Sequence, residues 1–186
     1  LTMEELFNKT KERMDKSINA LKSEYDSIRA GRANAKVLDK VYVDYYGTPT
    51  PINQMAAISV AEARVLVIQP WDKSTLKPIE KAIQASDVGI NPQNDGNVIR
   101  LNFPALDGDR RKQLSRDVAK VAEEAKIAIR QIRRDSIDAL KKMKKDNDIT
   151  EDDQKNGETK IQKITDDYTK KIDSIAEAKT EEIMSV

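Results

Sequence analysis

The side chains best suited to binding chemistry in this chain are basic residues that recur on one face of a helical segment between residues 112 and 144. When this segment is laid out at about 100° per residue from Lys126, its apolar side chains fall between about 220° and 300° and its basic side chains between about −20° and 80°. The basic side chains on that arc are Lys112, Arg116, Arg130, Arg133, Arg134, Lys141 and Lys144. A helix that buries its apolar arc must expose the nearly opposite basic arc.

An exposed basic ridge suits the phosphate groups of a nucleic acid. Arginine presents a planar fork of donors that matches phosphate oxygens, and the ridge would span about 48 Å at the standard helical rise. We place Arg133 centrally on it, and Arg111 and Glu123 at its edge, near −60°. Asp135 and Asp138 interrupt the ridge. Two interpretations therefore stay open: a nucleic-acid surface, and an ordinary solvated helix face.

Catalytic chemistry has little support in the sequence. The chain contains no cysteine and no histidine, which excludes disulfides, thiolate ligands, cysteine nucleophiles and histidine-based triads. The pairs Asp152-Asp153 and Asp166-Asp167 are sequence neighbours, which do not share a helix face, and no glycine-rich phosphate-binding motif is present. Trp71 is expected to be a partly buried anchor rather than a platform for stacking a base. We expect a protein that is not an enzyme and that holds no metal or cofactor.

The charge of the chain is unevenly distributed. Of its 186 residues 35% are charged and 4% are aromatic, and the net charge is only +1. Residues 105–146 nevertheless carry a net charge of +5, and residues 147–186 a net charge of −5. These segments could pair with each other through opposite charge, or the first could meet an anionic partner. The composition favours long exposed helices over a compact barrel or sandwich.

Three long amphipathic helices would position the basic residues. The first runs from Phe7 to Ile28, the second starts after Asp107 or Asp109 as N-cap, and the third starts at Thr150 with a capping box. Their apolar residues recur at intervals of three and four, as in Met14, Ile18, Leu21 and Tyr25; Leu114, Val118, Val121, Ala125, Ile129 and Ile132; and Ile161, Ile164, Tyr168, Ile172 and Ile175. No helix can bury its stripe alone, so the pattern predicts an elongated antiparallel three-helix bundle.

The middle of the chain is of a different kind. All six prolines and five of the six glycines lie within 31–108. The pattern there predicts strands, a helix and a segment that is either a turn or an irregular loop. The strands are expected at 37–46, 64–70 and 97–103, the helix at 74–86 and the turn or loop at 46–51. The chain would thus be an α+β protein with a discontinuous bundle, 1–30 and 105–186, and an inserted domain, 31–104. A hinge is expected at Ala30, Gly31, Pro104 and Ala105.

No apolar run approaches the ~20 residues that a membrane span needs. The segment LTMEELFNKTKERMDK at the start of the sequence lacks the apolar core of a signal peptide. We expect a cytoplasmic protein with no membrane partner.

Several segments resemble the signature segments of the bacterial ribosome recycling factor family, and they occur in the order found in that family. These segments are Ser27-Ile28-Arg29-Ala30-Gly31-Arg32-Ala33-Asn34, Tyr45-Tyr46-Gly47-Thr48-Pro49-Thr50-Pro51, Ile79-Glu80-Lys81-Ala82-Ile83, Asp109-Arg110-Arg111-Lys112 and Ile129-Arg130-Gln131-Ile132-Arg133-Arg134-Asp135. The resemblance covers nearly the whole chain. It implies a three-helix bundle with a hinged β/α/β domain in an L shape.

The resemblance also implies a function after termination of translation. With elongation factor G and GTP hydrolysis by that partner, such a factor splits the ribosome into subunits and is not itself an enzyme. It implies that Arg111, Arg130 and Arg133 contact large-subunit rRNA and that Arg29 and Arg32 flank the hinge glycine. The complete candidate set for rRNA comprises Arg111, Arg130, Arg133, Arg134, Lys112, Lys126, Arg29 and Arg32. The expected partners are the large subunit and elongation factor G, without DNA, and the expected state is a monomer.

The sequence departs from the family pattern at two places near the hinge. Ala35 stands where many members have proline, and Asp107-Gly108-Asp109 replaces a common Thr-Glu-Glu. The alternative from a different class is a structural coiled-coil protein that assembles through the opposite charges of its second and third helices.

Overall fold

A computed structural model of the chain describes residues 1–28 and 31–184. Within the described residues the chain forms two compact units. One contains residues 1–28 and those from 109 onward, and the other contains the residues between 31 and 108. The domain boundaries that the sequence predicts, between residues 30 and 31 and between residues 104 and 105, stay predictions.

The first unit consists of three long helices: α1 (Met3–Asp26), α3 (Gly108–Lys145) and α4 (Glu151–Met184). Contacts between α1 and α3 run in opposite directions along the two helices, because Thr10 bonds to Ser136 whereas Tyr25 donates to the carbonyl oxygen of Val118. Successive long helices are therefore antiparallel, as the sequence predicts.

The third helix of this unit completes the arrangement. Gly157 of α4 lies against Met3 of α1, and Tyr168 further along α4 donates to Asp15. The order of these contacts makes α1 and α4 parallel. The bundle thus has an up-down-up path.

The predicted helix starts are partly confirmed. Thr150 and Asp153 exchange hydrogen bonds between side chain and backbone, both 3.0 Å long, so the capping box at α4 is confirmed. A second capping box, formed by Thr2 and Glu5, starts α1. Asp109 lies inside the first turn of α3 rather than before it, which leaves Asp107 as the candidate N-cap.

The core of the bundle contains hydroxyl groups that the apolar pattern does not reveal. Thr10, Ser136 and Thr165 are buried. Thr10 donates to the carbonyl oxygen of Leu6 at 2.8 Å, and its oxygen lies 2.6 Å from that of Ser136. Thr165 donates to the carbonyl oxygen of Ile161 at 2.8 Å. Each of the three hydroxyls therefore has a partner, which removes most of the desolvation cost of burying it.

The second unit combines a hairpin, a four-stranded sheet and one helix. Strands β1 (Tyr42–Tyr45) and β2 (Thr48–Pro51) form the hairpin. The sheet contains β3 (Ala56–Glu62), β4 (Val65–Pro70), β5 (Pro92–Asn94) and β6 (Ile99–Asn102) in the order β3-β4-β6-β5, with all pairs antiparallel. Helix α2 (Leu76–Ala85) packs on β5 and β1. Its Pro78 lies in the first turn, where no intrahelical N–H bond is lost.

Two expectations for this unit are wrong in detail, and strand β3 was missed. Residues 35–38 form a single 3₁₀ turn, started by the side chain of Asn34, so the strand expected over 37–46 is confined to β1. Residues 46 and 47 form the predicted turn, but residues 48–51 form strand β2. The prolines of β2 are tolerated because the strand pairs on one side only. Strand β3 was not predicted, because a single buried residue, Ala56, gives it no alternating pattern.

Candidate nucleic-acid interface

The basic face of α3 is largely exposed. Six of the residues that the helical wheel places on the basic arc are exposed: Lys112, Arg116, Arg130, Arg134, Lys141 and Lys144. The wheel predicts this exposure, since the buried residues Leu114, Val118, Ile129 and Ile132 lie on the opposite side of the helix.

Arg133 lies at the border between α3 and α4 instead of at the centre of the basic face. Its side chain is half-buried, and its Nε donates to Oε1 of Gln162 on α4 at 2.7 Å. The buried arc of α3 includes Ala122, Ser136 and Leu140 and so extends to about 320°. Arg133, which lies at about −20° on the helical wheel, is therefore next to the core.

The side chain of Lys126 forms an ion pair with the neighbouring helix α4. Its Nζ lies 2.5 Å from Oδ1 of Asp173, and its side chain is 25% exposed. This contact is the charge pairing between the basic and the acidic segment that the sequence leaves open. It involves Lys126 alone among the basic residues of the arc that the structure describes, so most of the basic face is not neutralised by α4.

Glu123 lies on the basic face, and its predicted place near −60° is wrong. Arg130 donates to Oε1 of Glu123 from both Nη1 and Nη2, at 3.2 and 3.1 Å. Arg130 follows Glu123 by seven residues. This interval corresponds to a rotation about 20° short of two full turns, so the two side chains lie on the same side of the helix. Arg130 is 49% exposed, so this pair is weak in water.

Arg111 lies on the side of α3 that faces the core. It is half-buried, and its Nε is enclosed without a hydrogen-bond partner among the described residues. Of the remaining candidates, Arg29 and the hinge residue Ala30 lie outside the described residues. Arg32, Pro104 and Ala105 are exposed.

Gly31 has a left-handed backbone, with φ of +77°. An added Cβ atom would lie 3.1 Å from Cγ of Leu106. This backbone conformation is one that glycine adopts without strain and that other residues resist.

Trp71 is not the partly buried anchor that the sequence predicts. Its side chain is 69% exposed, whereas Pro70 before it is buried. The alternation of β4 continues through this point and places Pro70 on the core face and Trp71 on the open face. The residue type alone gave no sign of which neighbour would be buried.

The carboxylates of the helical unit have structural roles. Asp153 caps α4, and Asp166 accepts from Nε2 of Gln162 at 2.8 Å. Hydrogen bonds from Gln131 and Arg13 lower the pKa of Asp135 below its ordinary value. In the part of the chain that the structure describes, no group of three or more acidic residues is placed to hold a metal ion. The same residues include no helix long and apolar enough to cross a membrane.

Comparisons with known proteins agree with this architecture. The sequence model of the family described as "Ribosome recycling factor" matches residues 21–184. A protein named ribosome-recycling factor from Caldicellulosiruptor bescii is 57% identical over 99% of this chain and 100% of its own length. The proteins of the same name from Clostridium novyi and Geobacillus kaustophilus are each 55% identical, over 99% and 98% of this chain and 100% and 98% of their own lengths.

Solved structures show the same similarity. A solution structure of a ribosome recycling factor has a TM-score of 0.80 and 37% identity, over 99% of this chain and 98% of that chain. Another is the T. thermophilus ribosome recycling factor, bound together with E. coli elongation factor G to the E. coli post-termination complex. It has a TM-score of 0.66 and 45% identity, over 98% of this chain and 99% of that chain. On this similarity over nearly its whole length, the chain belongs to the ribosome recycling factor family.

Proposed function

We propose that this chain binds the post-termination ribosome through large-subunit rRNA and, with elongation factor G and GTP, promotes its dissociation into subunits. The observation that carries the proposal is the exposed basic face of α3 in a member of this family. The T. thermophilus relative is seen with elongation factor G on a post-termination complex, which supports the same pair of partners here.

The basic face contributes binding and not catalysis. Its guanidinium and ammonium groups can neutralise backbone phosphates, which releases counterions from the RNA and makes the affinity fall as salt rises. The chemical step, GTP hydrolysis, then belongs to the elongation factor. The chain itself acts in the cytoplasm as a monomer, without a cofactor.

Subunit splitting followed by light scattering, with and without elongation factor G and GTP, tests this function directly. The parent should split ribosomes only when both are present. A chain that leaves ribosomes intact under these conditions would refute the proposal.

The role of the basic face is tested by removing three of its charges together. The triple variant Arg116→Gln, Arg130→Gln, Arg134→Gln should keep its fold, because all three side chains are exposed. Its plot of log affinity for ribosomes against log salt should be shallower by about two units, since each lost phosphate contact accounts for about 0.7–0.9. Cosedimentation across a potassium chloride series gives the slope.

A matched control removes the same charge elsewhere. The variant Lys9→Gln, Lys16→Gln, Lys22→Gln takes three exposed cations from α1. Its salt slope should stay close to that of the parent. Equal slopes for the two triple variants would mean that net charge, and not the face of α3, governs binding. If the chain is instead a structural coiled-coil protein that assembles with itself, its mass measured in solution will exceed that of one chain.

A further inference from the structure

An open groove runs between α3 and α4 beside the basic face. It encloses about 620 Å³. The α3 side contributes Arg133 and Ile137. The residues that α4 contributes recur at intervals of three and four and so share one face of that helix: Lys155, Glu158, Thr159, Gln162, Lys163 and Asp166.

A hydrogen bond at the Nε edge of the guanidinium group fixes Arg133 in this groove. Only Nε is engaged, by Gln162, whose amide in turn donates to Asp166. The two Nη groups have no hydrogen-bond partner among the described residues. The contact with Gln162 therefore fixes the plane of the guanidinium and leaves its outer edge available for an anion.

Lys155 and Lys163 lie on either side of Gln162 along α4. They are separated by about 12 Å at the standard helical rise. Neither forms an ion pair with any residue that the structure describes. Two carboxylates beside them, Glu158 and Asp166, already accept hydrogen bonds from Gln154 and Gln162. These amide donors are neutral, so both carboxylates keep their charge, and the three cations of the groove exceed its two carboxylates by one.

The positive potential continues past the groove along α3. The adjoining stretch adds Arg134, Lys141 and Asp138 to the lining, so that five cations face three carboxylates. Arg134 and Lys141 also belong to the exposed basic face. A single extended polyanion could therefore cover the groove and the basic face together, which an acidic loop of a protein is less suited to do.

We infer that the groove between α3 and α4 binds the phosphodiester backbone of RNA, with Lys155 and Lys163 as α4 ligands beside Arg133 of α3. Gln162 is the positioning residue of Arg133. This inference rests on the proposed function and extends the RNA-binding surface from one helix to two.

The first test removes the two lysines. The variant Lys155→Gln, Lys163→Gln should bind 70S ribosomes roughly fivefold more weakly, as expected for two exposed ionic contacts, and its salt slope should be shallower by about 1.5 units. The control Lys16→Gln, Lys22→Gln removes the same charge from exposed sites on α1 and should bind like the parent. Circular dichroism confirms folding of both.

The role of Gln162 is tested by a double-mutant cycle. Gln162→Met should weaken ribosome binding in the parent but have no effect when Arg133 is already alanine, because its effect passes through the guanidinium. A loss of the same size in both backgrounds would refute the positioning role.

The class of partner is tested with tethered hydroxyl radicals. The chain has no cysteine, so single substitutions give unique attachment sites for an iron chelate. Thr159 lies in the groove and Asn19 lies on the exposed face of α1. From Thr159→Cys we expect strand cleavage of large-subunit rRNA near the tether, at positions that are not cut from Asn19→Cys.

The outcomes separate the inference from the function on which it rests. Cleavage of rRNA from position 159 together with a weaker lysine variant supports the inference. Cleavage of ribosomal protein alone, or unchanged binding of the lysine variant, overturns it. If the triple variant of the exposed α3 arginines is still impaired, the proposed rRNA binding stands without the groove. If that variant also binds normally, the proposed function fails as well.

Discussion

Gly157 is buried in the interior of α4, where an added Cβ atom would lie 2.8 Å from Cε of Met3 and 3.0 Å from both Cδ atoms of Leu140. Glycine is about 1 kcal/mol less favourable than alanine in a helix interior. The close approach of Leu140, which is fully buried, explains why the glycine is placed there. Met3 can move aside, since the atom involved is the end of a flexible side chain, whereas Leu140 has no space to move into.

We expect Gly157→Ala to destabilise the protein by about 1 kcal/mol, because overpacking a core costs about 1–3 kcal/mol and the gain in helix propensity offsets part of it. Urea unfolding followed by circular dichroism measures the difference. Gly108→Ala is the control, since a Cβ atom at Gly108 meets nothing within 4 Å, and it should be neutral or slightly stabilising. A Gly157→Ala protein as stable as the parent would show that the bundle relaxes around the methyl group.

At the scale of elements, α4 is tied to α1 through the hydroxyl of Tyr168. The hydroxyl donates to Oδ1 of Asp15 at 2.5 Å, and it lies 3.3 Å from the carbonyl oxygen of Lys11. Burial of the ring, followed by the hydrogen bond to Asp15, raises the pKa of Tyr168 to about 12. The folded protein therefore holds this proton more tightly than the unfolded chain, whose tyrosine pKa is about 10.

This difference predicts how stability changes with pH. Between about pH 10 and pH 12 the unfolded chain has lost the tyrosine proton and the folded protein has kept it, so the stabilisation present below pH 10 is lost as pH rises. Tyr168→Phe has no proton to lose. We expect the free energy of unfolding of the parent to fall relative to that of Tyr168→Phe across this range, as measured by urea unfolding at several pH values. A constant difference between the two would show that the hydroxyl does not link α1 and α4 in this way.

The sequence predicts the elements well where a single helix carries its own signal. The spacing of Met14, Ile18 and Leu21 shows a helix, and the Thr150-Asp153 box shows where the next one starts, since both patterns are local. Strand β3 and the position of Trp71 depend on which face of a sheet is covered, which the local pattern does not contain.

The candidate site could also be predicted only where a residue depends on its own helix and not on a neighbouring element. A helical wheel predicts that Arg130 and Arg134 are exposed, because exposure depends only on the apolar side of their own helix. It cannot predict that Arg133 bonds to Gln162 or that Lys126 pairs with Asp173, because these partners are contributed by α4. The groove residues Lys155 and Lys163 were missed for that reason. Their interval of eight residues on α4 is visible in the sequence only once the facing helix is known.

At the scale of the whole molecule, the segment at Gly31 is one of two that join the units, and its left-handed backbone is its distinctive feature. A residue with a Cβ atom is strained there by about 1–2 kcal/mol, and a β-branched residue resists this conformation further. The valine side chain would also press on Leu106, which lies 3.1 Å from the position of its Cβ. We propose that this segment is a hinge whose bending accompanies subunit splitting.

Gly31→Val should consequently leave ribosome affinity close to that of the parent, because the basic residues of α3, which supply six of the eight candidate rRNA contacts, lie in the other unit. Splitting of ribosomes with elongation factor G and GTP should fall several-fold, since the step that needs the hinge to move is impaired while the binding surface is intact. Cosedimentation measures the affinity and light scattering measures the splitting.

Gly96→Val is the matched control. Its φ of +91° is equally left-handed, and a Cβ atom there meets nothing within 4 Å. Gly96 lies in a turn away from the junction between the units. The control should carry the same backbone strain and yet split ribosomes at nearly the parental rate. If affinity and splitting decline together in Gly31→Val, or if Gly96→Val is equally slow, then strain in the small unit and not hinge motion limits the reaction.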